Sequence, residues 1–181
     1  MPSFLCNKWL TTALLLLTLP MAHATTDTAP ALLPEEQVYV ATSQTTQAVA
    51  EPYFLAYIAR DWGALESLLH PDARWHDPTA EQLFSQAPTQ GRVHTLKHLR
   101  RAFAGIVDMK AQVQRRMFSS HYAVYVVALD WTVLLQDGQR MEIAGTPLVV
   151  TLRIRDGKVY SHTDYADYHP FITTYQQHRK P

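Results

Sequence analysis

The order of hydrophobic and polar residues predicts a helical first half for this chain. From Glu35 the pattern is helical, and Pro52 predicts either a kink or a new helix beginning near Glu51. The stretch 53–60 is apolar on almost every side, which is typical of a helix covered on two faces. A second short helix, capped at its start by an aspartate, is predicted over 62–69.

A strand, a loop and a third helix are predicted next. The strand covers 73–77 and ends at Pro78, and 78–91 reads as a loop that forms a lid or a binding loop. The helix covers 92–106, with apolar residues at spacings of three and four: Val93, Leu96, Leu99, Phe103 and Ile106. The other side of that helix is basic, which is typical of a solvated face, and it carries His94, Lys97, Arg100 and Arg101.

After Gly105 the hydrophobic period changes to two, which is typical of strands. Asp137-Gly138 and Asp156-Gly157 predict hairpin turns. The predicted strands cover 109–118, 121–136, 139–154 and 159–168. Helices followed by antiparallel strands indicate an α+β fold, a cone-shaped roll in which a curved sheet wraps around about three N-terminal helices.

The first 24 residues have the pattern of a secretory signal peptide. Lys8 precedes an apolar run over 9–19, and small residues flank the expected cleavage point after Ala24. We expect a secreted, periplasmic protein with no stable membrane insertion, the alternative being an uncleaved membrane anchor. A partly helical leader over 25–45 and one domain over 46–176 follow.

Composition and charge indicate a globular domain and argue against several classes of function. The chain has 181 residues, of which 47% are hydrophobic and 18% charged, as in an ordinary globular domain. Basic and acidic residues number 16 each, and this balance argues against a nucleic-acid partner. The single cysteine, Cys6, lies in the predicted signal peptide, so the mature chain has no disulfide and no thiol nucleophile.

Alternation along strands places several candidate catalytic residues together. Trp75 and Asp77 share one strand face, as do His162 and Asp164. A carboxylate buried beside an indole has its charged form destabilised, which suits proton transfer near neutral pH. Histidine beside a carboxylate is a proton-transfer pair. Asp77 as a turn residue and His162 as a buried structural histidine are the simpler alternatives.

Two tyrosines one helical turn apart, Tyr53 and Tyr57, are candidate hydroxyl donors toward an oxyanion, or plain core aromatics. Trp131 is either a ligand contact or a core residue.

No dense cluster of metal ligands is visible in the sequence, so we expect neither a metal nor another cofactor.

Several stretches of the chain together match the pattern of a known family: Tyr53-x-x-x-Tyr57-x-x-x-Asp61, the segment 68–78 ending in Asp77-Pro78, Gly91, Asp156-Gly157-Lys158-Val159 and His162-x-Asp164-Tyr165-x-Asp167. In the order and spacing of these stretches, over about 46–170, the chain resembles the nuclear-transport-factor-2-like superfamily and, within it, the ketosteroid isomerase and SnoaL-like polyketide cyclase group.

The resemblance implies a cone with one deep pocket and roles for particular residues. Asp77 matches the general base of ketosteroid isomerases, and Tyr53 matches their oxyanion-hole tyrosine. Val150 stands where they have a protonated aspartate, which argues against steroid isomerisation. His162 and Asp164 match pocket-lining positions.

We therefore predict cofactor-independent acid/base chemistry on a small apolar carbonyl compound, such as isomerisation, cyclisation, dehydration or hydrolysis. Asp77, His162, Asp164 and Tyr53 are the predicted catalytic residues, and the predicted ligand contacts are Trp75, Tyr57, Val150 and Trp131. The alternative is a binding module that holds a small hydrophobic ligand without chemistry. A homodimer through the outer sheet face is a further expectation.

Overall fold

The computed structural model describes residues 31–179, so the predicted signal peptide and its cleavage point lie outside the described residues. The helices of this part of the chain are α1 (Pro34–Ala59), α2 (Trp62–Leu68), α3 (Pro78–Phe84), α4 (Arg92–Ala102) and α5 (His169–His178). The strands are β1 (Leu69–His76), β2 (Thr89–Gln90), β3 (Ile106–Ser119), β4 (Tyr122–Leu134), β5 (Arg140–Arg155) and β6 (Lys158–Ala166).

The strands form one curved, unclosed sheet in the order β2-β1-β6-β5-β4-β3. β1 runs parallel to β6, and the remaining neighbours are antiparallel. The turn between β5 and β6 has Asp156 and Gly157 at positive φ, as a tight hairpin requires. The α+β cone predicted from the sequence is therefore confirmed.

The core lies between the second half of α1 and the inner face of the sheet. Tyr53, Phe54 and Tyr57 of α1 are buried against apolar strand residues that include Tyr125, Val127, Val150 and Leu152. This burial on several sides explains the nearly all-apolar stretch in that part of α1. No helix among residues 31–179 has both the length and the apolar character needed to cross a bilayer.

The structure corrects three details of the predicted elements. The stretch 78–91 is not one long loop, because Asp77 and Pro78 start α3 and Thr89 pairs with Trp75 of β1. An aspartate before a proline is an N-cap followed by a favourable first helical residue, a pattern that also starts helices. α1 continues through Pro52 as a single helix, so no new helix begins at that point.

The third correction concerns the ends of two elements. α4 ends at Ala102 rather than 106, and Val93 in its first turn is 71% exposed instead of facing the core. The last strand ends at Ala166, and the chain then forms α5, which the sequence pattern did not predict. Exposed apolar residues of the sheet strands, which the predicted homodimer would cover, include Val113, Met117, Tyr122 and Tyr165.

Candidate active site

A cavity of about 260 Å³ opens between the sheet and the helices. Most of its wall is apolar, with residues from α1, β3, β4, β5 and α5: Ile58, Met109, Leu129, Trp131, Val133, Leu148 and Phe171. A few polar side chains interrupt this wall, among them Tyr57, Trp75, Asp77, Thr146, Asp164 and Tyr168. An apolar cleft with few polar groups is the usual form of a small-molecule site.

Asp164 is a carboxylate of this wall that is held by two side chains, one on each oxygen. Its Oδ1 lies 2.7 Å from Nε2 of His162, and its Oδ2 accepts a hydrogen bond of 2.6 Å from the Tyr57 hydroxyl. Asp164 and His162 are two residues apart on β6, so they share the inner face of the sheet. Both are buried, but only Asp164 lines the cavity.

The hydrogen-bond network assigns the protons of this group. The Tyr53 hydroxyl lies 2.8 Å from Nδ1 of His162, and Tyr53 is fully buried. If Nε2–H of His162 donates to the Asp164 carboxylate, Nδ1 is free to accept from Tyr53. Every donor then has one acceptor, and a chain of hydrogen bonds runs from Tyr53 through His162 to Asp164.

The tyrosines of the site stay protonated. Burial, and after it the negative charge of Asp164, raise the pKa of Tyr53 and of Tyr57 well above the ordinary value. Burial and the neighbouring Asp77 carboxylate raise the pKa of Tyr168 in the same way. These hydroxyls therefore act as hydrogen-bond donors across the physiological pH range.

Asp77 also lines the cavity, and it is the N-cap of α3. Its Oδ1 accepts hydrogen bonds from the backbone N–H groups of Thr79 and Ala80 and from the Thr79 hydroxyl. Its Oδ2 accepts from the Tyr168 hydroxyl at 2.7 Å. The carboxylate is thus held by the first turn of α3 on one side and by the segment after β6 on the other.

Trp75 of β1 also lines the cavity, two positions before Asp77. The parallel pairing of β1 with β6 places it opposite His162, with 6.4 Å between the ring centroids. Its indole Nε1 is buried and has no acceptor among the described residues. A buried donor without a partner in a cavity wall is a candidate contact for a ligand oxygen.

The structure brings most, but not all, of the predicted site residues to the cavity. Trp75, Asp77, Asp164, Tyr57 and Trp131 line it. Three predicted residues lie behind the wall, fully buried: Tyr53, His162 and Val150. Val150 pairs with Asp164 across β5 and β6, but its side chain does not line the cavity.

Other lining residues are absent from the sequence-based prediction. Tyr168 follows β6 and donates to Asp77, Phe84 ends α3, and Phe171 of α5 stacks on Trp131 with 5.4 Å between the ring centroids. Trp131 in turn donates from Nε1 to the Thr146 hydroxyl at 3.0 Å. Phe84 and Phe171 lie in segments whose helices the pattern did not predict, so nothing in the sequence marked them.

Among residues 31–179, no three His, Cys, Asp or Glu side chains come together as a metal ion would require.

Comparison with solved structures places the fold among known proteins. A candidate SnoaL-like polyketide cyclase from Shewanella denitrificans OS-217 is 19% identical, with a TM-score of 0.64 over 73% of this chain and 97% of that chain. A candidate ketosteroid isomerase from Kribbella flavida DSM 17836 is 26% identical, with a TM-score of 0.50 over 68% of this chain and 78% of that chain. TerC, co-crystallised with polyporic acid, is 16% identical, with a TM-score of 0.59 over 73% of this chain and 98% of that chain.

Sequence comparison gives the family. No curated protein matches the chain. The family model described as the SnoaL-like domain matches residues 50–162, which include α1 from its middle, the first strands and most of the curved sheet. With the same fold in the solved structures and a match over more than half of its length, the chain belongs to the SnoaL-like domain family.

Proposed function

We propose that the protein carries out cofactor-independent acid/base chemistry on a small apolar carbonyl compound, with Asp164 as the group that moves the proton. The observation that carries this proposal is a buried carboxylate at the wall of an apolar cavity, held by His162 and Tyr57. Each oxygen accepts one hydrogen bond, so each keeps acceptor capacity for a substrate proton.

The surrounding groups suit the formation of an enolate. Asp164 accepts a proton from the carbon next to the substrate carbonyl, and the same carboxylic acid returns it at another carbon. The Trp75 indole N–H, which has no acceptor among residues 31–179, donates to the carbonyl oxygen as negative charge develops on it. The hydrogen bonds from His162 and Tyr57 fix the carboxylate in place during both transfers.

Asp77, the residue that the family resemblance implies as the base, has a different set of partners. Three donors of α3 occupy its Oδ1, and Tyr168 occupies its Oδ2. We assign Asp77 to holding α3 and Tyr168 over the cavity, and Asp164 to proton transfer. Tyr53 acts through His162, because its hydroxyl donates to that ring and its side chain does not line the cavity.

The relatives support the substrate class. The neighbours include a candidate polyketide cyclase and a candidate ketosteroid isomerase, and TerC was co-crystallised with polyporic acid. A binding module without chemistry is the second candidate function. Val150 favours the binding module. This apolar residue is in register with Asp164, and its side chain supplies no second donor for an oxyanion.

Hydrogen exchange on simple ketones separates the two candidate functions. Acetylnaphthalene and cyclohexenone would be incubated with the protein in deuterated water, and loss of the signal from the hydrogens next to the carbonyl would be followed by proton NMR. Wild type should accelerate the exchange, and Asp164→Asn should lose at least about 100-fold of that acceleration. Binding of either ketone without exchange would establish the binding module instead, and full activity of Asp164→Asn would remove Asp164 from the mechanism.

We further propose that the protein acts in the periplasm after export and that it is a homodimer. The signal-peptide pattern that ends at Ala24 supports the first point, and the exposed side chains of Val113, Met117 and Tyr122 support the second. Mass spectrometry of protein recovered from the periplasmic fraction should give an N-terminus at Thr25. Light scattering should give twice the mass of one mature chain, and a single-chain mass would exclude the dimer.

A further inference from the structure

A second opening adjoins the cavity on the side of α4. This groove has a volume of about 700 Å³ and lies between the segment 84–90 and α4. Phe84, Gln86 and Ala102 line both the groove and the cavity, so the two spaces share a wall. A ligand in the cavity whose second part passed this shared wall would therefore reach the groove.

The groove is basic along one side. His94, Lys97, His98 and Arg101 line it, and their spacing of three and four places them in one stripe along α4. Within residues 31–179, no acidic residue lines the groove, and neither Lys97 nor Arg101 forms an ion pair. Three residues of the solvated basic face expected from the sequence, His94, Lys97 and Arg101, thus line a concave space.

His98 connects the stripe to the cavity. Its ring lies 4.9 Å from the ring of Trp75, which lines the cavity, and its Nε2 is buried with no hydrogen-bond partner in the described part of the chain. Burial, and after it the charge of Arg101, lower the pKa of His98, so its ring is neutral at physiological pH. A neutral imidazole with an unpaired ring nitrogen next to two cations suits contact with a polar ligand group.

We propose that the ligand of this protein is an amphipathic acid, whose apolar body fills the cavity and whose carboxylate or sulfonate lies in the groove on Lys97, His98 and Arg101. The inference rests on the proposed function, because it describes the substrate of the same cavity. Arg101 supplies a planar set of donors that matches an acid group, Lys97 supplies a second positive charge, and the Nε2 position of His98 supplies a further polar contact.

Two probes of nearly the same size and shape, one charged and one neutral, test the proposal. Naphthylacetate and naphthylacetamide have the same aromatic body, but only the first has a negative charge. Titration calorimetry at low salt should show that the wild-type protein binds naphthylacetate at least about tenfold more tightly, as one charge-assisted contact would give. That preference should shrink as salt is added, because counterions screen the partly exposed cations.

Variants of α4 locate the preference. Arg101→Gln and Lys97→Gln should each weaken naphthylacetate binding several-fold to about tenfold, and should leave naphthylacetamide binding within about twofold. Arg100→Gln is the matched control. Arg100 is an exposed arginine of the same helix, and its side chain lines neither the cavity nor the groove. An equal loss in Arg100→Gln would mean that the net charge of α4, rather than the groove, produces the preference, and would overturn the proposal.

The outcomes also separate this inference from the proposed function. Asp164→Asn should lose at least about 100-fold of the accelerated hydrogen exchange and keep the preference for naphthylacetate. Equal affinities for the two probes, together with active exchange on ketones, would overturn the amphipathic acid and leave the acid/base chemistry in place. A preference for naphthylacetate without exchange on any ketone would support the ligand class and favour the binding module. Binding of neither probe would overturn the ligand class as well.

Discussion

The hydroxyl of Tyr57 donates a hydrogen bond of 2.6 Å to Oδ2 of Asp164, and the two residues are 107 positions apart in the chain. Tyr57 reaches the carboxylate from α1 and Asp164 from β6, so this bond joins the helix layer to the inner face of the sheet at the cavity wall. The same bond orients Asp164 and satisfies part of a buried charge. It therefore serves both stability and the proposed chemistry.

Replacing Tyr57 by Phe should lower both the stability of the protein and the rate of the proposed chemistry. The variant removes the donor and leaves Oδ2 of a buried carboxylate without its partner, which costs about 1–3 kcal/mol of unfolding free energy. Urea denaturation would measure the loss. Tyr165→Phe is the control, because Tyr165 is about half exposed at 49% and should change stability little. Equal stability of Tyr57→Phe and wild type would show that water replaces the lost hydroxyl.

Alkaline pH should destabilise the fold through the buried tyrosines. In the folded state the pKa of Tyr53 and of Tyr57 lies above 10.0, the ordinary value that the unfolded chain has. Above pH 10 the unfolded chain releases protons that the folded protein keeps, so the free energy of unfolding falls as the pH rises. Each tyrosine contributes a slope of about 1.4 kcal/mol per pH unit, and below pH 10 its contribution is constant.

Urea denaturation between pH 9 and 11 would measure this slope. Tyr57→Phe should show a shallower decline than wild type, because it has one buried tyrosine fewer to titrate. Tyr39→Phe provides a comparison, since Tyr39 is half exposed. Identical slopes in wild type and Tyr57→Phe would contradict the burial-driven rise in pKa.

Phe171 should control ligand affinity more than stability. No side chain of α5 is fully buried, and Phe171 attaches the helix to the cavity wall through stacking on Trp131 and an edge contact with Phe84. Phe171→Ala removes aromatic contacts of about 0.5–1.5 kcal/mol each and opens the cavity. Calorimetry with naphthylacetamide should show about tenfold weaker binding.

Tyr175→Ala is the control for Phe171. Tyr175 stacks on the outer side of Phe171, with 5.9 Å between the ring centroids, and does not line the cavity. Its removal should leave the affinity within about twofold. If both variants lose affinity equally, the position of α5 as a whole, rather than the Phe171 ring, determines binding.

The sequence predicted the sheet and the inner face of the last strand well because strand alternation acts locally. His162 and Asp164 share a face whatever lies around them, and the structure joins them at 2.7 Å. The position of Tyr53 depends on tertiary packing, since the tilt of α1 against the sheet decides which tyrosine reaches the cavity. Tyr57 reaches it and Tyr53 lies behind His162, a difference that spacing alone does not contain.

The sequence pattern did not predict the helix after β6, because the position of this helix also depends on tertiary packing. α5 has no fully buried side chain, so it lacks the apolar stripe that predicts a helix. Its partners, Trp131 and Phe84, come from parts of the chain far away in sequence. The same holds for the groove beside α4, because its other wall is the segment 84–90, which the pattern assigned to a loop.

Substitutions at Asp77 separate its capping role from a role in proton transfer. Asp77→Ala removes the acceptor for two backbone N–H groups at the start of α3 and for the Tyr168 hydroxyl, and should cost about 1–3 kcal/mol of unfolding free energy. Asp77→Ser keeps a side-chain oxygen that caps the helix, so it should recover part of that loss. Urea denaturation of both variants would measure the difference.

Hydrogen exchange on acetylnaphthalene then shows whether Asp77 transfers the proton. Serine at this position caps the helix but is a poor proton acceptor. If Asp77 only positions α3 and Tyr168, Asp77→Ser should keep at least about a tenth of the wild-type rate, whereas Asp164→Asn should lose about 100-fold or more. A loss of about 100-fold in Asp77→Ser at restored stability would instead assign proton transfer to Asp77, the carboxylate that the family resemblance implies. The hydrogen bonds of α3 to Oδ1 would then leave Oδ2, now bonded to Tyr168, as the reacting oxygen.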